Sequence, residues 1–370
     1  VTEAGPAARP DRLPLTYDEC RARFRHALAR RGLTGEAHAI TARGPEDQRL
    51  TIDVAHLGAA SPQRALLVLA GVHGVEGFIG SALQCDLLDR LDSAALAEDA
   101  AVVLVHAVNP WGMAWWRRQN ESNVDLNRNW RRDHHEPARN EAYDELHPLA
   151  CPDTPTMPGV EALLAQAMAV VAERGLPWVR DAITSGQYAH PDGLHYGGAR
   201  TEESNRILEA IVLGHLRGVR RLFIVDLHTG HGPRGEATAL SDQPPGSPQD
   251  RFLRAALPHA HVEPTTGNPD ATTGPKTGQI ANGIRELLPG ATAYATSLEI
   301  GTATAEEQLV ATYQEHWVHR HGDRADPEHA AAVWAYRCCF TPDDPAWERR
   351  ARTLGATQLD DALGAVLRWS

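Results

Sequence analysis

Three groups of residues carry types and spacings that could do chemistry. The first is Gly71-Val72-His73-Gly74-Val75-Glu76-Gly77. An imidazole and a carboxylate three residues apart at a helix start can aim at one point, and flanking glycines let the backbone turn tightly around a ligand. With nineteen histidines in the chain, about one His-x-x-Glu pair arises by chance. Its position directly after an apolar run lifts this one. Catalytic zinc takes three protein ligands and leaves one position for water, and two His with one Glu is an established set. The third ligand is expected from another strand end. His228, in Asp226-Leu227-His228-Thr229-Gly230-His231-Gly232, directly ends an apolar run, whereas the competitor His231 lies in a glycine-flanked loop. His73, Glu76 and His228 are therefore expected to hold one zinc ion per chain.

The second group lies between these ligands. It comprises Asn109-Pro110-Trp111-Gly112, then Arg117-Arg118-Gln119-Asn120, then Asp125-Leu126-Asn127-Arg128-Asn129-Trp130. A guanidinium fork binds a carboxylate through two parallel hydrogen bonds, and a neighbouring Asn amide completes the cradle. A second arginine can stabilise the oxyanion of a tetrahedral intermediate. The competing reading is a solvated loop whose arginines pair with nearby acids. The third group is Ser297-Leu298-Glu299-Ile300-Gly301. A lone acid in an apolar strand is costly unless it is paired or sits at the strand end. Next to an activated water, Glu299 is placed to accept its proton and pass it to a leaving amine.

These groups need a scaffold. Four apolar runs, 65–72, 101–108, 222–227 and 293–298, each stop abruptly at polar residues: His73, Asn109, His228 and Glu299. Continuous aliphatic runs of this length suit strands covered on both faces by helices. Helical patterns occupy 17–31, 77–91, 161–174, 202–216 and 305–317, and residues 36–42 and 49–57 form a strand pair around the turn Gly44-Pro45-Glu46-Asp47. The expected fold class is α/β, with a mixed central sheet under a helical cover. In open α/β sheets, ligands sit outside the carboxyl ends of the strands, where all four polar clusters fall.

Composition narrows the partners. The chain of 370 residues has a formal net charge of -12, which disfavours nucleic acid and anionic membrane surfaces. No run of about eighteen apolar residues occurs. Five cysteines with no repeated spacing do not form a disulfide framework, and a cytoplasmic location is expected. Residues 1–14, rich in Ala, Pro and Arg, are expected to be disordered, with 15–370 forming one catalytic domain.

Taken in order, His73-x-x-Glu76, Asn109-Pro110-x-Gly112, Asn127-Arg128-Asn129-Trp130, His228 and Glu299 resemble the M14 zinc carboxypeptidase superfamily, which includes succinylglutamate desuccinylases and aspartoacylases. The wording of the segments looks most like its DUF2817 branch. The resemblance implies a zinc-carboxypeptidase-like sheet, zinc on His73, Glu76 and His228, and Glu299 as general base. It further implies Asn127 and Arg128 as the pair holding a substrate carboxylate, and Arg117 or Arg118 as the oxyanion arginine. Carboxypeptidases carry a mobile tyrosine between the last zinc ligand and the base; here that interval holds only Tyr294, in a strand, while Tyr188 and Tyr196 lie in a turn-rich loop. The expected activity is hydrolysis of an amide next to a free carboxylate, on a peptide or an N-acyl amino acid. The rival is a zinc-binding interaction module on a retired enzyme fold, against which the retained Glu299 and the open ligand count argue.

Overall fold

A computed structural model describes residues 12–369 apart from 93–95, 97, 132, 133, 135–138, 269, 270 and 272. Its strands are β1 (Glu36–Arg43), β2 (Arg49–Gly58), β3 (Arg64–Ala70), β4 (Ala100–His106), β5 (Arg221–Arg234), β6 (Ala237–Ser241), β7 (His261–Pro264) and β8 (Thr292–Gly301). The first six helices are α1 (Tyr17–Arg30), α2 (Gly77–Arg90), α3 (Pro110–Ala114), α4 (Glu141–Ala150), α5 (Val160–Arg174) and α6 (Leu176–Thr184). The other six are α7 (Glu203–Leu216), α8 (Pro248–Ala256), α9 (Ile280–Leu287), α10 (Ala305–His321), α11 (Pro327–Phe340) and α12 (Pro345–Arg368).

The eight strands form one mixed sheet in the order β1-β2-β4-β3-β5-β8-β6-β7. The four apolar runs are the neighbouring strands β4, β3, β5 and β8, all mutually parallel. Their carboxyl ends therefore share one edge. β2 and β6 flank this block antiparallel. Successive side chains in a strand point to opposite faces, and the two faces carry separate cores. Leu66, Val68, Phe223 and Val225 pack on one face with Leu83 of α2 and Leu359 of α12. Leu67, Leu69, Leu222 and Ile224 pack on the other with Leu208 of α7 and Ile284 of α9. This explains why the runs are continuously apolar rather than alternating.

The strand pair at the amino end forms as the sequence implies, with Asp47 in the left-handed region at φ 57° closing the turn. β5 runs beyond the expected 222–227, because its pairing with β8 continues through His228. Residues 1–11 of the segment expected to be disordered lie outside the described residues. Arg12 and Leu13 are packed, with Arg12 Nε donating to Glu348 Oε2 at 2.9 Å and Leu13 buried. The five cysteines are free thiols. Among the described residues, no helix is long and apolar enough to cross a membrane.

Candidate active site

β3 ends at Ala70, and the chain turns through Gly71 at φ 68° into a single 3-10 turn, Gly74–Glu76. A Cβ at Gly74 would lie 2.0 Å from the Gly112 carbonyl carbon, so only glycine lets the loops after β3 and β4 meet so closely. The turn aims His73 and Glu76 back over the sheet edge. His228 arrives from β5, with its Nδ1 2.8 Å from Glu76 Oε2, while His73 Nδ1 is 2.9 Å from Glu76 Oε1. All three side chains are buried, and their ligand atoms lie within 4.8 Å of one another.

Each imidazole is fixed from behind by a buried carboxylate. His73 Nε2 is 3.2 Å from Asp125 Oδ1, and His228 Nε2 is 2.7 Å from Asp226 Oδ2. Such a partner sets ring orientation and leaves Nδ1 as the coordinating atom, as in carboxylate–histidine–metal arrangements. The donor set thus fits a divalent zinc-type cation, with two imidazole nitrogens and one carboxylate converging. The electrostatics of the bare site agree. Burial would raise the Glu76 carboxyl, but His73 and His228 hold it below the ordinary range. Burial would lower the His228 imidazole, but Asp226 and Glu76 carry it well above its ordinary value.

Asp125 is the hub of the loop after β4. It accepts from Arg118 Nε at 3.0 Å and from the Asn127 backbone N–H at 2.9 Å, and lies 3.4 Å from His195 Nδ1. Against the cost of burial, Arg118, Arg128, His73 and His195 hold its carboxyl well below the usual range. His195 itself sits at φ 53°, a strained conformation for a non-glycine residue, and burial pushes its imidazole down to about 4.

The candidate metal-ligating trio opens into a cavity of about 630 Å³, walled among others by Arg118, Asn127, Arg128, His195, Lys276 and Glu299. Glu299 is the register partner of His228 across the parallel pair β5–β8, so the two side chains share a face roughly one strand spacing, about 4.8 Å, apart. The two arginines left open by the sequence separate clearly. Arg118 faces the cavity with Nη1 3.4 Å from Glu76 Oε1. Arg117 lies outside the cavity wall: it is fully buried, with Nε donating to Glu315 Oε1 of α10 at 3.1 Å, and the expectation that it could face an oxyanion is corrected to a structural ion pair.

Arg128 is 1% exposed, with Nε and Nη2 donating to the Thr184 carbonyl at 3.1 and 2.7 Å and Nη1 to the Asn127 carbonyl at 2.9 Å. A guanidinium has five donors, so one hydrogen on each Nη remains. Asn127 Oδ1 accepts from the Ile280 N–H at 3.0 Å. His231 lines the same cavity but turns away, with Nε2 3.3 Å from Glu263. Of the tyrosines considered from sequence, Tyr294 stacks on Trp369. Tyr188 donates its hydroxyl to the Arg128 carbonyl at 2.6 Å, and the Tyr196 carbonyl accepts from Asp125 N. The tyrosines in the cavity wall are Tyr313 and Tyr336, from α10 and α11, beyond Glu299 in the chain. Helix α11 and its C-cap are also stitched to both segments that carry candidate ligands: Thr229 Oγ1 donates to the Phe340 carbonyl at 2.6 Å, and Thr341 Oγ1 to the Val75 carbonyl at 2.9 Å.

Asp125, Asp226, His195, Lys276 and Tyr336 were not singled out from sequence. Asp226 had a readable signal, an acid inside the apolar run Phe223-Ile224-Val225-Asp226-Leu227. Lys276 had another, being the only lysine in the chain.

The fold is that of the metallocarboxypeptidases. The chain is similar to bovine thrombin-activatable fibrinolysis inhibitor, solved in complex with tick carboxypeptidase inhibitor, with a TM-score of 0.51 and 11% identity over 97% of this chain and 98% of that one. Carboxypeptidase A from Helicoverpa armigera aligns with a TM-score of 0.46 and 11% identity over 93% and 74% of the two chains. A metallo-carboxypeptidase from Burkholderia cenocepacia aligns with a TM-score of 0.44 and 15% identity over 95% and 70%. No curated protein matches the chain in sequence. Residues 14–353 match the family model described as "Protein of unknown function (DUF2817)", and the chain belongs to that family.

Proposed function

We propose that this protein is a zinc-dependent hydrolase of amide bonds next to a free carboxylate, acting as a carboxypeptidase or a deacylase of N-acyl amino acids. The observation that carries this reading is the convergence of His73 Nδ1, His228 Nδ1 and the Glu76 carboxylate at a cavity that also holds Glu299 and Arg118. Zinc held by His73, Glu76 and His228 would supply Lewis acidity toward the scissile carbonyl and acidify an attacking water. Glu299, half-buried beside His228, takes the proton from water and returns it to the leaving nitrogen. Arg118, oriented by Asp125, offers its remaining donors to the oxyanion. The two remaining Arg128 hydrogens hold the substrate carboxylate, and the fixed Asn127 amide leaves its nitrogen to donate beside them.

The test compares free-carboxylate substrates with matched C-terminally amidated ones, using the zinc-loaded protein. The wild type should strongly prefer the free form. Arg128→Lys keeps a charge but loses the fork, and should lose kcat/KM on free substrates far more than on blocked ones, with zinc content intact. Equal processing of both forms by the wild type would remove the carboxylate-clamp reading.

A further inference from the structure

A second set of metal-binding side chains meets behind the cavity wall. His147 lies in the last turn of α4 and Cys151 is its C-cap, with the Cys151 N–H donating to the His147 carbonyl at 2.8 Å. Residues four apart in this geometry share one helix face. Asp192 reaches the same point from residues 186–198, between α6 and α7. One ligand atom from each of the three lies within 4.8 Å of the others.

Hydrogen bonding does not account for the convergence. His147 Nε2 is 3.8 Å from Asp192 Oδ1, too long for a hydrogen bond. His147 Nδ1 is buried with no partner among the described residues. Nitrogen, oxygen and sulfur ligands of one tetrahedral zinc stand about 3.3–3.6 Å apart, close to the His147–Asp192 spacing. The neighbours hold this geometry. His190 stacks on His147 with ring centroids 3.8 Å apart, and its own Nε2 is 2.8 Å from Asp144 Oδ1. His316 Nε2 is 2.7 Å from the Asp192 carbonyl and 3.4 Å from Cys151 Sγ. Arg320 Nη2 binds Asp192 Oδ2 at 3.0 Å, which leaves Oδ1 turned toward His147. A set of thiolate, imidazole and carboxylate suits zinc rather than calcium or magnesium, which take oxygen ligands.

We propose that His147, Cys151 and Asp192 form a second zinc site, whose ion pins residues 186–198 to the end of α4. The fourth position falls to water, since Asp192 is exposed. The pinned segment carries Leu194 and His195 into the cavity wall, and His195 Nδ1 lies 3.4 Å from Asp125 Oδ2. The ion is therefore a clamp behind the wall and takes no part in the proposed hydrolysis. Binding must displace the thiol proton, and Asp192 is shared with Arg320. The site thus fills after the one made by His73, Glu76 and His228, whose own titrations are read below that metal level.

Cobalt(II) tells the two sites apart, because a thiolate ligand adds a charge-transfer band in the near ultraviolet and the first site contains no sulfur. Titrating the metal-free wild type should raise this band with the second equivalent of cobalt. His228→Ala should keep it. Cys151→Ser should abolish it and lower the bound metal by one ion per chain. Asp192→Asn changes an exposed side chain, so it tests the site even where the cysteine variant fails to fold; it should weaken the cobalt binding seen in the band by at least about tenfold. Absence of the band at any cobalt level in the wild type, its survival in Cys151→Ser, or unchanged affinity in Asp192→Asn overturns the second site. The band with no cleavage of any substrate keeps this site and removes the hydrolase reading, and cleavage without the band does the reverse.

Discussion

Asp125 and Asp226 touch no substrate in the proposed reaction, yet they decide which nitrogen of His73 and His228 faces the cavity. Replacing either by Asn keeps the shape and removes the charge. Asp125→Asn and Asp226→Asn should each weaken zinc binding by about 10–100-fold while all three ligands remain, as read by competition against a chelating dye. Glu299 behaves differently: Glu299→Gln should keep its zinc and lose about 10²–10⁴ in kcat, and near-normal turnover would make Glu299 structural.

Four parallel strands carry the candidate site to one edge, and they were the most readable elements in the sequence because burial on both faces makes them continuously apolar. The segments 161–174, 202–216 and 305–317 likewise coincide with α5, α7 and α10. The last two strands on the β8 side of the sheet, β6 and β7, were not readable: they are short, and His261–Pro264 has only four residues to show a period. Helices α11 and α12 escaped for another reason, since their role is to cover other elements, which only the tertiary arrangement reveals. The same limit applied to Arg117 and Arg118. Adjacent residues point different ways, and only the position of Glu315 on α10 shows which one turns inward. Breaking a buried pair by removing one partner typically costs about 3–5 kcal/mol. Arg117→Met should lose stability of that order in urea unfolding without changing kcat/KM for any surviving enzyme, whereas Arg118→Met, which removes the proposed oxyanion donor, should lower kcat and kcat/KM together. In β3, Leu67→Ala should cost about 2–5 kcal/mol, because Leu67 is fully buried at the centre of the sheet.

Across the whole molecule, the candidate ligands come from the segments after β3 and within β5, so a bound ion ties distant parts of the chain together. A ligand that binds only the folded state stabilises it by mass action, about 2.7 kcal/mol at a hundredfold excess over its dissociation constant. Zinc should raise the melting temperature of the wild type, chelation should reverse the gain, and His228→Ala should show neither effect; His231→Ala should keep both. The stitching of α11 to the two segments that carry candidate ligands has a different consequence, one of timing. When Glu299 has left the ribosome, every proposed ligand and the proposed base have been synthesised. Tyr336 and Phe340, which wall the cavity, and Thr341, which with Phe340 bonds to the segments carrying Val75 and Thr229, come out only afterwards. The order of translation thus leaves the proposed site without this wall until the last turn of α11 has been made.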